Sequence, residues 1–232
     1  ILLAKATKYA GGDGVASPYQ IANLDCWFDF MNNPIDWAKS FILTTDLDMA
    51  GLAFTQAVIA PDTNLTSSGF QGTSFAGVFD GNGHTISNLA IAGSGKDYMG
   101  LFGSITSGQV KNLGLTDVTV QGRSFVGGLA GQNFSGHTSC YVTGEVSGKF
   151  RREQTDNGYT YVGSLTGWNG GAINSCYTKG TVNGDRSVGG IAGLNNRMGG
   201  RINQSYSTAN VNGATFVGGL VGDNYDTITA SY

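Results

Sequence analysis

Apolar and small positions recur along this chain in one fixed phrase: an apolar residue, two small residues, an aliphatic residue, a spacer and a glycine, with an asparagine two positions later. Full copies are Val126-Gly127-Gly128-Leu129-Ala130-Gly131 with Asn133, and Val162-Gly163-Ser164-Leu165-Thr166-Gly167 with Asn169. Two more follow, Val188-Gly189-Gly190-Ile191-Ala192-Gly193 with Asn195, and Val217-Gly218-Gly219-Leu220-Val221-Gly222 with Asn224. Met99-Gly100-Leu101-Phe102-Gly103 is a degenerate earlier copy, and Phe75-Ala76-Gly77-Val78-Phe79 a weaker one. The closing glycines Gly103, Gly131, Gly167, Gly193 and Gly222 lie 28, 36, 26 and 29 residues apart. A period in that range marks a stacked array, in which each unit buries its apolar face against the next.

Each repeat also carries a second strand-like segment, clearest at Cys140-Tyr141-Val142-Thr143-Gly144-Glu145-Val146, Cys176-Tyr177-Thr178-Lys179-Gly180-Thr181-Val182 and Ser205-Tyr206-Ser207-Thr208-Ala209-Asn210-Val211. No part of the array has helical periodicity. Strands alone at this period predict an all-β parallel β-helix, a β-solenoid with coils of about 26–29 residues and strands about 4.8 Å apart. A propeller needs about 40 residues per blade and is disfavoured. Stacking then predicts columns: an asparagine ladder of Asn133, Asn169, Asn195 and Asn224, each amide donating to the next. Leu129, Leu165, Ile191 and Leu220 form an aliphatic column. Tyr141, Tyr177, Tyr206 and Tyr232 form an aromatic one, beside Cys140, Cys176, Ser205 and Ser231. Because a Gly-Gly pair can bend a strand, alternation leaves open which of these columns faces inward.

Ahead of the array the pattern changes. Asp25 reads as the N-cap of a short apolar helix, Cys26-Trp27-Phe28-Asp29-Phe30-Met31, and Asn32-Asn33-Pro34 stops it. Such a helix suits the end of a solenoid, where it covers an open core and unpaired backbone. Phe41 to Met49 reads as a strand, residues 52–74 as a long loop or irregular rung, and Val78 to Ile86 as two strands joined by the Asn82-Gly83 turn. The organisation expected is an N-terminal cap with the first coil over 1–51, irregular and first regular coils over 52–96, and the repeats proper over 97–232.

Composition narrows the function. Glycine is 38 of 232 residues, while charged residues are 12% against a usual share of about 25%. Aromatics at 11% and only three prolines point to an ordered chain rather than a low-complexity one. A net charge of −3 without basic clusters argues against nucleic acid as a partner. No apolar stretch of about 18 residues is present to span a bilayer. Ile1-Leu2-Leu3-Ala4-Lys5-Ala6 is too short for a whole signal peptide. Cys26, Cys140 and Cys176 make no even disulfide framework or close metal pair and read as small buried residues.

The repeats resemble the GLUG repeat, named for a Gly-Leu-x-Gly core and found in bacterial surface proteins, adhesin-like chains and some immunoglobulin A peptidases. Gly128-Leu129-Ala130-Gly131, Gly190-Ile191-Ala192-Gly193 and Gly219-Leu220-Val221-Gly222 match it, whereas Ser164-Leu165-Thr166-Gly167 departs at its first position. Phe79 to Ile86, Pro18-Tyr19-Gln20-Ile21-Ala22 and Phe41 to Asp48 are similar to segments that accompany such repeats. The resemblance implies an exported, right-handed parallel β-helix, extracellular or at the cell surface; its motif marks no catalytic residue.

Candidate chemistry is sparse. A zinc peptidase helix needs two histidines four apart, and the only histidines are His84 and His137. Asp46, Asp48 and Asp80 could furnish the carboxylate pair of a glycosidase, yet they fall at solvent-facing or turn positions, and Asp46 with Asp48 supplies too few oxygens for calcium. The best candidate for a grafted ligand site is the insertion over 148–158, with Phe150, Arg151, Arg152 and Asp156. Tyr98, Phe125, Tyr161 and Phe216 form a further aromatic column, read as core, that Ser187 interrupts. Ile1, Leu2 and Leu3 could add a strand to another copy and build a head-to-tail fibre. The expectation is a non-enzymatic solenoid for display, adhesion or assembly, without cofactor or metal, whose partners are other surface proteins, glycans or copies of itself. The alternative is a glycan-binding or polysaccharide-cleaving β-helix module.

Overall fold

The computed structural model describes residues 8–64, 69–149 and 160–232, and one repeat in it makes one coil of an all-β right-handed solenoid. In the copy that starts at Val126, the strands Val126–Gly127, Ala130–Asn133, Gly136–Thr138 and Tyr141–Gly148 lie on four successive faces. Each pairs in parallel with its equivalent in the next coil: Val126 with Val162, Ala130 with Thr166, His137 with Ile173 and Tyr141 with Tyr177. The resulting sheets have four, five, eight and nine strands.

Corners between faces depend on left-handed backbone. Tyr98, Phe125, Ser187 and Phe216, each just before the apolar residue that opens a repeat, have φ of 55°, 54°, 48° and 51°. Asn112, Ser139, Ser175, Gln204 and Ala230 form a second such column with φ between 48° and 53°. An L-residue there costs about 1–2 kcal/mol, so stacking must offset the strain coil after coil. The closing glycine accounts for how closely that stacking is done. A Cβ on Gly131 would lie 2.6 Å from the Tyr98 carbonyl carbon, on Gly167 2.5 Å from that of Phe125, on Gly193 2.3 Å from Val162 N, and on Gly222 2.5 Å from the Ser187 carbonyl carbon. Every closing glycine thus rests against the corner backbone of the preceding coil.

Inside, like packs on like. Leu129, Leu165 and Ile191 are fully buried, with Leu220 packed against them. Val120, Val146 and Val182 form a second column, and Phe41, Phe79, Val110, His137, Ile173 and Ile202 a third. At the N-terminal end Trp27 and Phe30, both with no exposed surface, seat the helix on the first coils, the Phe30 ring 4.3 Å from Phe41 and 5.6 Å from Phe79.

Two local expectations are corrected, and a third is narrowed. The helix runs Leu24–Met31 and is capped by Asn23, whose Oδ1 accepts from Cys26 N at 2.9 Å; Asp25 sits in the first turn instead, where the helix dipole favours a carboxylate. The single strand expected over 41–49 is two, Ser40–Leu43 and Leu47–Asp48, on different sheets, because the chain turns a corner at residues 44–46. Of the two readings of 52–74, a long loop or an irregular rung, the second holds: Ala53–Phe54 is a strand and Ile59 bridges to Phe102, with Phe75 just beyond bridging to Ile105.

The closing-glycine contact makes a sharp prediction. Gly167→Ala meets backbone on the preceding coil and should lose about 3 kcal/mol or more in urea denaturation, whereas Gly219→Ala, where an added Cβ meets nothing within 4 Å, should stay within about 0.5 kcal/mol. Equal effects at the two positions would refute the role given to the close approach.

Candidate functional site

The most regular surface feature is a ladder of tyrosines. In the strands Tyr141–Gly148 and Tyr177–Asn183 the residues flanking the tyrosine, Cys140 and Val142, Cys176 and Thr178, are buried in the core, so the tyrosine points out, and Tyr206 of Tyr206–Ser207 follows in register after the buried Ser205. The rings of Tyr141, Tyr177, Tyr206 and Tyr232 stack at 4.8, 5.3 and 5.4 Å with interplanar angles of 7°, 8° and 11°. Gly114 gives the first ring its place: a Cβ there would lie 2.4 Å from Tyr141 Cζ. Because the faces are taken up by one another, the ladder shows solvent a row of ring edges and phenol groups. Burial, then the neighbouring Tyr141 and Tyr206, raises the Tyr177 pKa, so its hydroxyl stays protonated at neutral pH and acts as a hydrogen-bonding group.

A second aromatic group gathers at the corner ahead of each repeat. Tyr98 stacks on Phe125 at 4.5 Å, and Phe125 stacks on Trp168 at 5.4 Å, with Tyr161 and Phe134 at its margins. The core reading holds for Tyr98, which is 5% exposed and whose hydroxyl pKa burial pushes up. Phe125 and Tyr161 are half-buried, and Phe216 is 50% exposed beneath the Arg186 guanidinium at 4.6 Å. Ser187, which interrupts the column, donates to Asp223 Oδ2 at 2.7 Å.

A cleft of about 560 Å³ opens between the cap and the irregular rung, walled by Met31, Pro34 and Trp37 on one side and Phe54, Gln56 and Pro61 on the other. Met31, Asn32, Pro34, Trp37, Ala53, Phe54, Thr55, Gln56, Ala57, Val58 and Pro61, its full lining, include no ionisable side chain. It can hold an uncharged ligand by apolar contact and by hydrogen bonds to Asn32, Gln56 and the Thr55 hydroxyl, and no ionisable acid or base lines it. Sequence reasoning missed this cleft because its walls come from the cap and from the patternless 52–61 stretch; Trp37 between Pro34 and Pro61 was the available signal.

The three candidate carboxylates are spent on structure. Asp46 Oδ1 accepts from Thr85 N at 2.8 Å and faces His84 Nδ1 at 3.1 Å; Asp48 Oδ1 accepts from Asn88 Nδ2 at 2.8 Å and Ala50 N at 2.9 Å. Asp80 accepts from Asn82 N at 2.8 Å and Asn112 Nδ2 at 3.0 Å and pairs with Lys111 at 3.2 Å. These bonds hold all three pKa values low: for Asp46 the Thr85 amide leads and for Asp48 the Asn88 amide, while at Asp80 burial pulls upward and the Asn112, Asn82 and Lys111 bonds outweigh it. A glycosidase acid needs the opposite shift. Among the described residues no group of three His, Cys, Asp or Glu is placed to hold a metal ion. Phe150, Arg151, Arg152 and Asp156, and likewise Ile1, Leu2 and Leu3, lie outside the described residues.

The asparagines form a hydrogen-bonded ladder, buried at Asn133, Asn169 and Asn195 and exposed at Asn224: Asn133 Nδ2 donates to Asn169 Oδ1 at 2.8 Å, Asn169 to Asn195 at 2.9 Å, and Asn195 to Asn224 at 2.8 Å. Its position inside the coil makes it a fold element and not a ligand surface.

Comparison with known proteins adds the following. No family model matches the chain. It is 35% identical over 128 residues to halomucin of Haloquadratum walsbyi, which is 53% of this chain and 1% of halomucin. It is 32% identical over 136 residues to a "Putative Gly-rich membrane protein" of Evansella cellulosilytica, 56% of this chain and 15% of that protein. The chain therefore spans only a small part of the length of the curated relatives it matches. The crystal structure of a "putative immunoglobulin A1 protease" from Bacteroides ovatus superposes with a TM-score of 0.60 over 97% of this chain and 69% of its own, at 23% identity. That likeness is one of fold, a repetitive parallel-sheet solenoid. No helix among the described residues is long and apolar enough to cross a membrane.

His137 supplies the testable electrostatics. It is wholly buried among the aliphatic residues of its column, neither ring nitrogen has a hydrogen-bond partner, and burial pushes its pKa down to about 3. The unfolded chain takes up this proton near pH 6.5 while the fold resists until about 3. This contribution to stability is therefore full above about pH 6.5 and is lost as pH falls toward 3, about 5 kcal/mol in all. His137→Ile should raise stability at neutral pH by about 1–3 kcal/mol and flatten the pH dependence of the urea midpoint between pH 6.5 and 4. An unchanged slope would rule out His137 as its source.

Proposed function

We propose that this chain is a non-enzymatic segment of an exported β-solenoid protein of the GLUG-repeat kind, working outside the cell in display, adhesion or head-to-tail assembly. The observation that carries this reading is the division of labour among its polar groups. The three candidate carboxylates are taken up in hydrogen bonds and the asparagine ladder and the histidine lie within the coil, while the repeated feature on the outer face is an uncharged tyrosine ladder. Such a rod sets spacing and presents identical groups at fixed intervals, the task of a scaffold. Halomucin and the Gly-rich membrane protein, which share its sequence pattern over about half of the chain, support a place at the cell exterior.

A glycan-binding module is the second reading, favoured by the uncharged cleft of Trp37, Phe54, Asn32 and Gln56. Aromatic walls with amide side chains suit a neutral sugar, whose hydroxyls need partners and whose ring carbons need apolar contact.

Incubation with neutral and acidic polysaccharides separates these readings. Display or assembly predicts no new reducing ends and no retardation in affinity electrophoresis, with rods or fibres in electron micrographs. Retardation by a neutral polysaccharide that Phe54→Ala weakens roughly tenfold or more would establish the module reading, and new reducing ends would overturn the non-enzymatic one.

A further inference from the structure

The corner that precedes the tyrosine ladder holds two thiols one above the other. Cys140 and Cys176 occupy the same position in successive coils: Tyr141 and Tyr177, which follow them, are paired in register, and Tyr177 N donates to the Cys140 carbonyl at 3.1 Å. Both side chains take the same orientation, Cys140 Sγ toward the Thr138 carbonyl at 3.4 Å and Cys176 Sγ toward the Asn174 carbonyl at 3.3 Å. Each is 1% exposed. The column continues with Ser205 and Ser231, whose hydroxyls donate to the Asn203 and Thr229 carbonyls at 2.9 and 2.8 Å, so serine fills this corner equally well. Two thiols thus stand together where the fold does not demand sulfur. Neighbouring strands in a parallel sheet run about 4.8 Å apart, inside the Cα separation of about 4.4–6.8 Å that a disulfide bridges.

We propose that Cys140 and Cys176 are a modification site, at which a low-molecular-weight disulfide oxidises the stacked pair to one intrachain bond joining two successive coils. Burial pushes the Cys140 thiol well up, and the two sulfurs stand in equivalent corners, so either can open the exchange. Taken from Cys176, it runs in two steps. The Cys176 thiolate attacks one sulfur of the external disulfide and expels a thiolate, which takes up a proton. The Cys140 thiolate then attacks Cys176 Sγ, forming the S–S bond and expelling the second small thiol. The balance is two protein thiols and one small disulfide in, one protein disulfide and two small thiols out. Access requires the corner to open briefly, so the reaction is slow. The bond would span the 36 residues from 140 to 176, the longest coil of the array, and would limit the unfolded chain most where the repeat is longest.

The experiment treats the whole folded chain with bis(2-hydroxyethyl) disulfide and follows free thiols, peptide cross-links by mass spectrometry after trypsin digestion, and thermal unfolding. The expected product links Cys140 to Cys176, leaves Cys26 free and unfolds roughly 5–10 °C higher than the reduced protein. Cys140→Ser and Cys176→Ser, which place in this column the residue already found at 205 and 231, should fold normally and lose the shift. Cys26→Ser should keep it. Thiols that stay free over days while the urea-unfolded chain reacts fully, mixed disulfides that never resolve, or a link through Cys26 would each overturn the assignment.

Discussion

Everything in this solenoid depends on how closely one coil can lie on the next, and the closing glycine sets that distance. At Gly131, Gly167, Gly193 and Gly222 the position a Cβ would take is already filled by the corner backbone of the preceding coil. The same corner places Tyr98, Phe125 and Phe216 in left-handed backbone that bulky residues ordinarily avoid. The two features sustain each other: the left-handed corner brings its backbone over the glycine, and the packed neighbours hold the corner in place. Stacked aromatic rings at Tyr98 and Phe125 add to what holds it.

Close, in-register stacking also restricts what the surface can carry. A charge repeated at one position of every coil would meet its copy about 4.8 Å away, and like charges at that range repel. Two pairs on neighbouring coils have opposite sign, Asp80 with Lys111 and Asp97 with Arg123, whose Nε donates to Asp97 Oδ1 at 2.8 Å. Elsewhere the repeated positions are neutral: asparagine inside, tyrosine outside, serine or cysteine at the corner. The low charge content is therefore a consequence of stacking, and it leaves hydrogen-bonding and aromatic groups as the means by which the outer faces can recognise anything.

Much of this was legible in the sequence because a repeat announces its own geometry. The period identified coils, and Asn133, Asn169, Asn195 and Asn224 could be read as a ladder since each residue's partner is another copy of itself. Aspects that depend on two unlike pieces meeting were not legible. The strand over 41–49 could not be divided without knowing where the first coil turns, and the N-cap moved from Asp25 to Asn23 because both residues suit the role and the docking of Trp27 and Phe30 on the core decides between them. Which columns face inward was undecided for the same reason. The structure resolves it at the Cys140-Tyr141 step, where the left-handed Ser139 turns the cysteine in and the tyrosine out.

The cleft beneath the cap follows from the same limitation and bears on function. A solenoid's sides repeat, so a site built on them is repeated too; a unique site needs a place where the repeat is broken. Among the described residues it is broken at the cap, where Met31 at the helix end and Asn32, its C-cap, face the irregular rung through Phe54 and Gln56. On the scaffold reading proposed above, the repeated faces would do the spacing, and that junction would be a place for a ligand that binds only once. The tyrosine ladder and the cleft share no residue: one stands on repeated strands, the other on the cap and the irregular rung, so the two proposed readings can be tested by separate substitutions.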